Sequence, residues 1–102
     1  MSSTVFEKQD NVLTVKPAGR LDTITSPVLE NELRPYLDAV QEVIMDFSKI
    51  EYISSSGLRL LLTTQQALED HGGSMKLIHV CDYIVELFDL VGFADLLTIA
   101  SD

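Results

Sequence analysis

The chain has no tryptophan, one cysteine and two histidines among its 102 residues. A single thiol, Cys81, cannot form an internal disulfide and fits a reducing environment, so a cytoplasmic location is expected. One cysteine and two histidines are also too few ligands for a structural zinc site, and no metal is expected. Basic residues are scarce as well: seven Lys and Arg stand against sixteen Asp and Glu, a formal charge of −9. Nucleic-acid backbones and anionic membrane surfaces are held by clustered cations, so both are disfavoured as partners. An acidic surface keeps the chain soluble and suits a protein partner with a basic patch. No apolar run approaches the roughly 18 residues of a membrane span. Met1 to Val5 lacks the basic-then-apolar pattern of a signal peptide, so no membrane insertion is expected.

What is present is enough for one small core. With 46% hydrophobic residues, the reading is a single domain over residues 1–102. Thr4–Glu7 and Val12–Lys16 carry alternating apolar residues around Asp10-Asn11, the pattern of a β-hairpin. Gly19 breaks the second strand. Ser26-Pro27 has the form of an N-cap followed by proline at the first helical position. Val28, Leu29, Leu33, Tyr36, Leu37 and Val40 then recur at helical spacing, with the helix expected to continue past Pro35. Val43–Phe47 is a short apolar run suited to a buried central strand. A second helix runs from near Ser55 to about His71 and stops at Gly72-Gly73. Met75–Val80 is another buried strand, and Asp82 is expected to cap a third helix ending at Gly92. Phe93-Ala94-Asp95 reads as a turn and Leu96–Ile99 as a last strand. The order β-β-α-β-α-β-α-β predicts an α/β domain, a mixed sheet of four to five strands packed with helices.

Catalytic signatures are incomplete. Ile53-Ser54-Ser55-Ser56-Gly57 lacks the first glycine of a nucleophile elbow. Neither His71 nor His79 neighbours these serines in sequence, although His79 ends a strand that can lie beside the central one. No Gly-x-x-x-x-Gly-Lys-Ser/Thr or Gly-x-Gly-x-x-Gly is found, which disfavours a nucleotide-binding module. The chain is read as a non-enzyme that needs no cofactor. The informative segment is the hydroxyl cluster Ser54-Ser55-Ser56 at the start of a helix. It is open to two readings: a serine N-cap with polar neighbours, or a phosphorylation switch on the amides and partial positive charge of a helix N-terminus.

Gly19-Arg20-Leu21-Asp22, Met45-Asp46-Phe47-Ser48 and Tyr52-Ile53-Ser54-Ser55-Ser56-Gly57-Leu58-Arg59, in this order and spacing, resemble a STAS domain, more narrowly the stand-alone anti-sigma-factor antagonists of bacteria. The resemblance extends over nearly the whole chain, through Gly73, Leu87-Phe88 and Gly92. It implies a fold of the STAS type and a regulatory binding protein. Such a protein engages an anti-sigma factor that is also a serine kinase, and so frees the sigma factor. Phosphorylation of one serine ends binding, and a serine phosphatase restores it. Mapped by motif, Ser55 is the phosphoacceptor, Ser54 stands where the family often carries aspartate, and Ser56 precedes Gly57. That departure leaves Ser54 and Ser56 open as alternative acceptors. The resemblance also places Asp22 beside the phosphorylation site. Asp22, Thr23, Ser54, Ser55, Ser56, Gly57 and Arg59 form the expected partner-binding set, with Thr25 and Tyr52 as lesser members. Arg59 is read as facing the partner, as paired with an acidic side chain or, equally, as a solvated helix residue. The alternative function is a STAS adaptor subunit of a lipid- or solute-transport assembly.

Overall fold

A computed structural model describes residues 4–93 and 96–100. The opening hairpin forms as the alternation requires. Strands β1 (Val5–Gln9) and β2 (Val12–Lys16) pair antiparallel across a turn in which Asp10 takes φ +55°. In β2, Leu13 and Val15 are fully buried while their neighbours are half-exposed. β4 (Glu42–Asp46) lies between β2 and β6 (Ser74–Ile78) and is parallel to both. The four-stranded sheet therefore runs β1-β2-β4-β6, with only its β1 edge antiparallel. This is the α/β class with a mixed sheet that the alternation of strand and helix predicts.

Two further strands form where the sequence pattern gives connections. β3 (Ala18–Leu21) and β5 (Lys49–Ile53) pair in parallel as a separate two-stranded sheet. Gly19, at φ +84°, sits at the register shift of this ladder. Glycine adopts that conformation freely, so it bends the chain without ending it. Conversely, the expected last strand contracts to a single parallel bridge between Leu77 and Ile99. The expected turn at Phe93-Ala94-Asp95 includes residues outside the described ones.

Helix α1 (Thr25–Leu37) buries Leu29 and Leu33, one turn apart, and accommodates Pro35 in its last turn. Its start differs from the expectation. Ser26 is not the cap but lies inside the first turn, buried. Ile24 holds the N-cap position, and Asp22, two residues earlier, supplies the carboxylate that accepts the Ile24 and Thr25 N–H groups. Helix α2 (Ser55–Glu69) turns Leu58, Leu61 and Leu68 inward and packs against α1. The glycine stop holds: Gly72 takes φ +82° and the Gly73 N–H donates to the Leu68 carbonyl at 2.7 Å. Helix α3 (Asp82–Val91) buries Ile84 and Phe88 and ends at left-handed Gly92. Asp82 is its first residue rather than its cap; Cys81 holds the N-cap position without a side-chain bond. Phe6 of β1 stacks on Tyr36 of α1 at 5.3 Å. The core is aliphatic: Leu13, Leu33, Val43, Met45, Leu61, Leu68 and Leu77 are completely buried around Phe47 and Phe88. Each such side chain contributes about 1.5–3 kcal/mol.

Candidate functional site

The site is built by the small β3–β5 sheet. Its strands are parallel, and Leu21 pairs with Ile53, so both end at the same edge. After Leu21 the chain turns into α1; after Ile53 it turns into α2. Two helix N-termini therefore emerge side by side, and the Ser54 N–H donates to the Leu21 carbonyl at 2.9 Å, tying them together. Gly57 makes this closeness possible. A Cβ at that position would lie 2.7 Å from the Leu21 carbonyl oxygen and 2.6 Å from Ile53 Cγ1. The backbone oxygen cannot yield as a side chain can, so any larger residue pushes α2 off β3.

The mouth of α1 is closed. Asp22 Oδ1 accepts the Ile24 and Thr25 N–H groups, each at 3.0 Å, and the Asp22 carbonyl accepts the Ser26 N–H at 2.9 Å. The Thr25 hydroxyl donates to the Arg20 carbonyl at 2.7 Å and accepts the Asp22 N–H at 2.9 Å. Arg20 lies over the Tyr52 ring at 4.3 Å and reaches Asp22 Oδ2 at 3.4 Å. The Thr25 N–H above all, then the Ile24 N–H, hold the Asp22 carboxyl below its ordinary value; the Thr25 hydroxyl and Arg20 assist against the effect of burial. Asp22 is thus ionised and conformationally fixed at neutral pH.

The mouth of α2 is open. Ser54 holds the N-cap position with extended backbone (φ −101°, ψ −179°), yet its side chain makes no cap bond. Its Oγ is buried without a partner. Ser56 turns toward α1, with its Oγ 3.4 Å from Thr23 Oγ1. Ser55 alone of the three is exposed, and its hydroxyl is unbonded among the described residues. The amides of Ser55, Ser56 and Gly57 likewise have no acceptor among the described residues. A serine cap is therefore not what this cluster forms. It presents one free hydroxyl above three free amides, where an anion is favoured by hydrogen bonding and by the helix dipole.

The expected residues Asp22, Thr23, Ser54, Ser55, Ser56 and Gly57 come together at this edge. Thr25 and Tyr52 are present as supports of Asp22 and Arg20. Arg59 is exposed one turn into α2 and makes no ion pair among the described residues. Arg20 and Ile24 extend the edge, and the sequence reading gives neither a role. Ile24 is 80% exposed and, with Val28, lines a groove of about 530 Å³ that includes Arg20 and Asp22. Only the exposure of an isoleucine marks it, and exposure is a property of the fold. His79 does not reach the serines. Its Nδ1 bonds Asp46 Oδ1 at 3.0 Å, across the β4–β6 ends. Burial pushes the Asp46 carboxyl up, but the Ser48 N–H and His79 outweigh it and hold it below its ordinary value. His71 Nε2 bonds the Val40 carbonyl oxygen at 3.0 Å. Among the described residues no group of three or more His, Cys, Asp or Glu side chains is arranged for a metal ion, and no helix is long and apolar enough to cross a membrane.

The family profile of the STAS domain matches residues 3–102. The chain belongs to the STAS domain family. Over 102 residues this STAS chain is 29% identical to an anti-sigma-B factor antagonist of Bacillus subtilis, covering 99% of its own length and 94% of that protein. It is 33% identical over 90 residues to the anti-sigma-B factor antagonist of Staphylococcus aureus, covering 87% and 83%. These relatives are regulatory binding proteins rather than enzymes. The fold is shared with the anti-sigma factor antagonist SpoIIAA of Bacillus. In its unphosphorylated form the TM-score is 0.84 at 19% identity, covering 98% of this chain and 90% of that one. In its phosphorylated form the TM-score is 0.77, covering 98% and 93%.

Proposed function

We propose that this STAS domain is an anti-sigma-factor antagonist that binds a serine-kinase anti-sigma factor through the Ser55 end of α2, and that phosphorylation of Ser55 ends the binding. The observation that carries this reading is the sorting of the three serines. Ser54 Oγ is enclosed and Ser56 Oγ faces Thr23, which leaves Ser55 as the hydroxyl a kinase can reach. The names of the Bacillus and Staphylococcus relatives support the antagonist role. Asp22, Thr23, Ser54, Ser55, Ser56, Gly57 and Arg59 form the partner surface, with Ile24 beside them.

The kinase transfers the γ-phosphoryl group of ATP to Ser55 Oγ, whose proton is lost as ADP departs; a phosphatase later transfers that group to water. The modification adds about −1.5 to −2 charge. At an open helix N-terminus this charge is tolerated by the antagonist itself, so the fold persists. The cost falls on the complex, where a dianion is desolvated without a cation opposite. That SpoIIAA has the fold of this chain in both phosphorylation forms supports a switch at the interface rather than one of refolding.

The test is incubation with the anti-sigma factor kinase of the same organism and ATP, followed by mass spectrometry of residues 53–59. One phosphate on Ser55 is expected. Phosphate on Ser54 or Ser56, or none while the kinase modifies a control substrate, contradicts the reading. Capture of a transport ATPase subunit in place of an anti-sigma factor would point to the adaptor role.

A further inference from the structure

Of the seven basic residues, three are paired with carboxylates, while Lys8, Lys49, Lys76 and Arg59 make no ion pair among the described residues; of these four only Arg59 lies on α2. Lys16 is paired with Glu7 at 3.2 Å, Arg20 with Asp22 at 3.4 Å and Arg34 with Glu30 at 3.9 Å. Arg59 is exposed and makes no such pair among the described residues. It stands four positions after Ser55 on α2. Residues at this spacing share one helix face, with Cβ atoms roughly 5–6 Å apart. Helical side chains also lean toward the N-terminus, so the arginine stem is directed back over the first turn.

We propose that Arg59 is the intramolecular counter-cation of the Ser55 phosphoryl group, closing on it after modification and holding it against the first turn of α2. The inference rests on Ser55 being the phosphoacceptor. A guanidinium is a planar fork that can donate two parallel hydrogen bonds to phosphoryl oxygens. The free amides of Ser55, Ser56 and Gly57 offer further donors at the same end of the helix. The competing charges are few. Glu30 of α1 is the one carboxylate lining the groove that Arg59 shares with Ser26 and Ser56, and it lies 3.9 Å from Arg34, in a solvent-exposed pair. Asp22 and Arg20 at the end of β3 pair with each other. A dianion one turn away is the stronger attractor. Arg59 is thereby a positioning residue with two effects. It fixes the phosphoryl group on the antagonist's own surface, and it is itself withdrawn from the face offered to the partner. Phosphorylation then adds negative charge to the interface and removes a cation from it in one event.

The experiment uses the full chain with phosphoserine incorporated at position 55 during translation, so that no kinase is needed, as the parent and as Arg59→Gln and Arg59→Lys variants. The second ionisation of the phosphate is followed by ³¹P NMR against pH. The parent is expected to titrate lower than Arg59→Gln by about half a pH unit, with Arg59→Lys between them. In the parent alone, the Arg59 side-chain Nε–H resonance is expected to move when serine at 55 is replaced by phosphoserine. Coincident titrations, or an unmoved Arg59 resonance, overturn the proposal. The phosphoserine samples and the unmodified chain with serine at 55 are then titrated with the anti-sigma factor. Equal affinity for the unmodified chain and the phosphoserine parent would overturn the switch at Ser55 while leaving the phosphate–arginine readout to stand or fall by itself.

Discussion

The two helix N-termini that meet at the end of the β3–β5 sheet are close in space and opposite in state. At α1, one aspartate satisfies three consecutive amides, those of Ile24, Thr25 and Ser26, through its carboxylate and its carbonyl. At α2, the residue in the capping position buries its hydroxyl without a partner, the first three amides have no acceptor among the described residues, and Ser55 is exposed. A closed helix mouth is a structural device that stabilises its own element. An open one leaves its hydrogen bonding and its charge for something that arrives later. The closed mouth also frames the open one, since Asp22 and Thr23 are held beside the serines.

The comparison can be broken most completely at Ser55. With the kinase and ATP present, the parent protein should leave its anti-sigma factor while Ser55→Ala remains bound; native gel analysis should show complex only for the variant. If Ser55→Ala is released as readily as the parent, the open mouth is not the switch.

The next largest effect is expected at the spacer between the mouths. Gly57→Ala forces a methyl group against the Leu21 carbonyl, at 2.7 Å before any relaxation. Overpacking of this kind costs about 1–3 kcal/mol, visible as a lower denaturation midpoint in urea. An unaltered midpoint would mean that α2 and β3 can separate freely.

Opening the closed mouth should have a smaller effect. Asp22→Ala removes the acceptor for the Ile24 and Thr25 amides, and the melting temperature should fall. The sign with pH follows from the lowered carboxyl. Its stabilisation is present above the unfolded pKa of about 3.9 and is lost as pH falls through the lower folded value. Thermal melts of the parent between pH 6 and 2.5 should therefore lose a component that Asp22→Ala lacks at every pH. Parallel pH profiles for the two proteins would contradict the cap. Asp46, also held low beside Ser48 and His79, contributes to acid loss in both.

The smallest effect is expected at Ser54. Its buried hydroxyl has no partner, so Ser54→Ala removes an uncompensated polar group. It should be neutral or stabilising by up to about 1 kcal/mol in chemical denaturation, with Ser55 still phosphorylated. A clear loss of stability would show that the hydroxyl has a partner after all.

Much of this arrangement is legible in the sequence because its signals are local. The hairpin follows from alternation around Asp10-Asn11, the central strand from Val43–Phe47, and the end of α2 from Gly72-Gly73. The serine cluster is visible as a motif. What is not legible depends on contacts between distant segments. β3 is four residues long with Gly19 inside it, so it carries no period-2 pattern, whereas Lys49-Ile50-Glu51-Tyr52 of β5 does alternate. What places both in a sheet is their pairing with each other, a contact between distant segments. Ser26 and Asp22 both have cap chemistry. Which one caps α1 is decided by where the chain leaves β3, four residues earlier in one case than in the other. The difference between Ser54, Ser55 and Ser56 is likewise one of burial and direction, which three identical residues in a row cannot encode by type.

The central claim is that charge placed at the open mouth acts on the partner and not on the fold. Isothermal titration of the anti-sigma factor with unmodified and Ser55-phosphorylated protein, whose circular dichroism spectra should coincide, tests it directly. The account predicts binding weaker by about a hundredfold on phosphorylation, equivalent to about 3 kcal/mol. Equal dissociation constants for the two forms would contradict it.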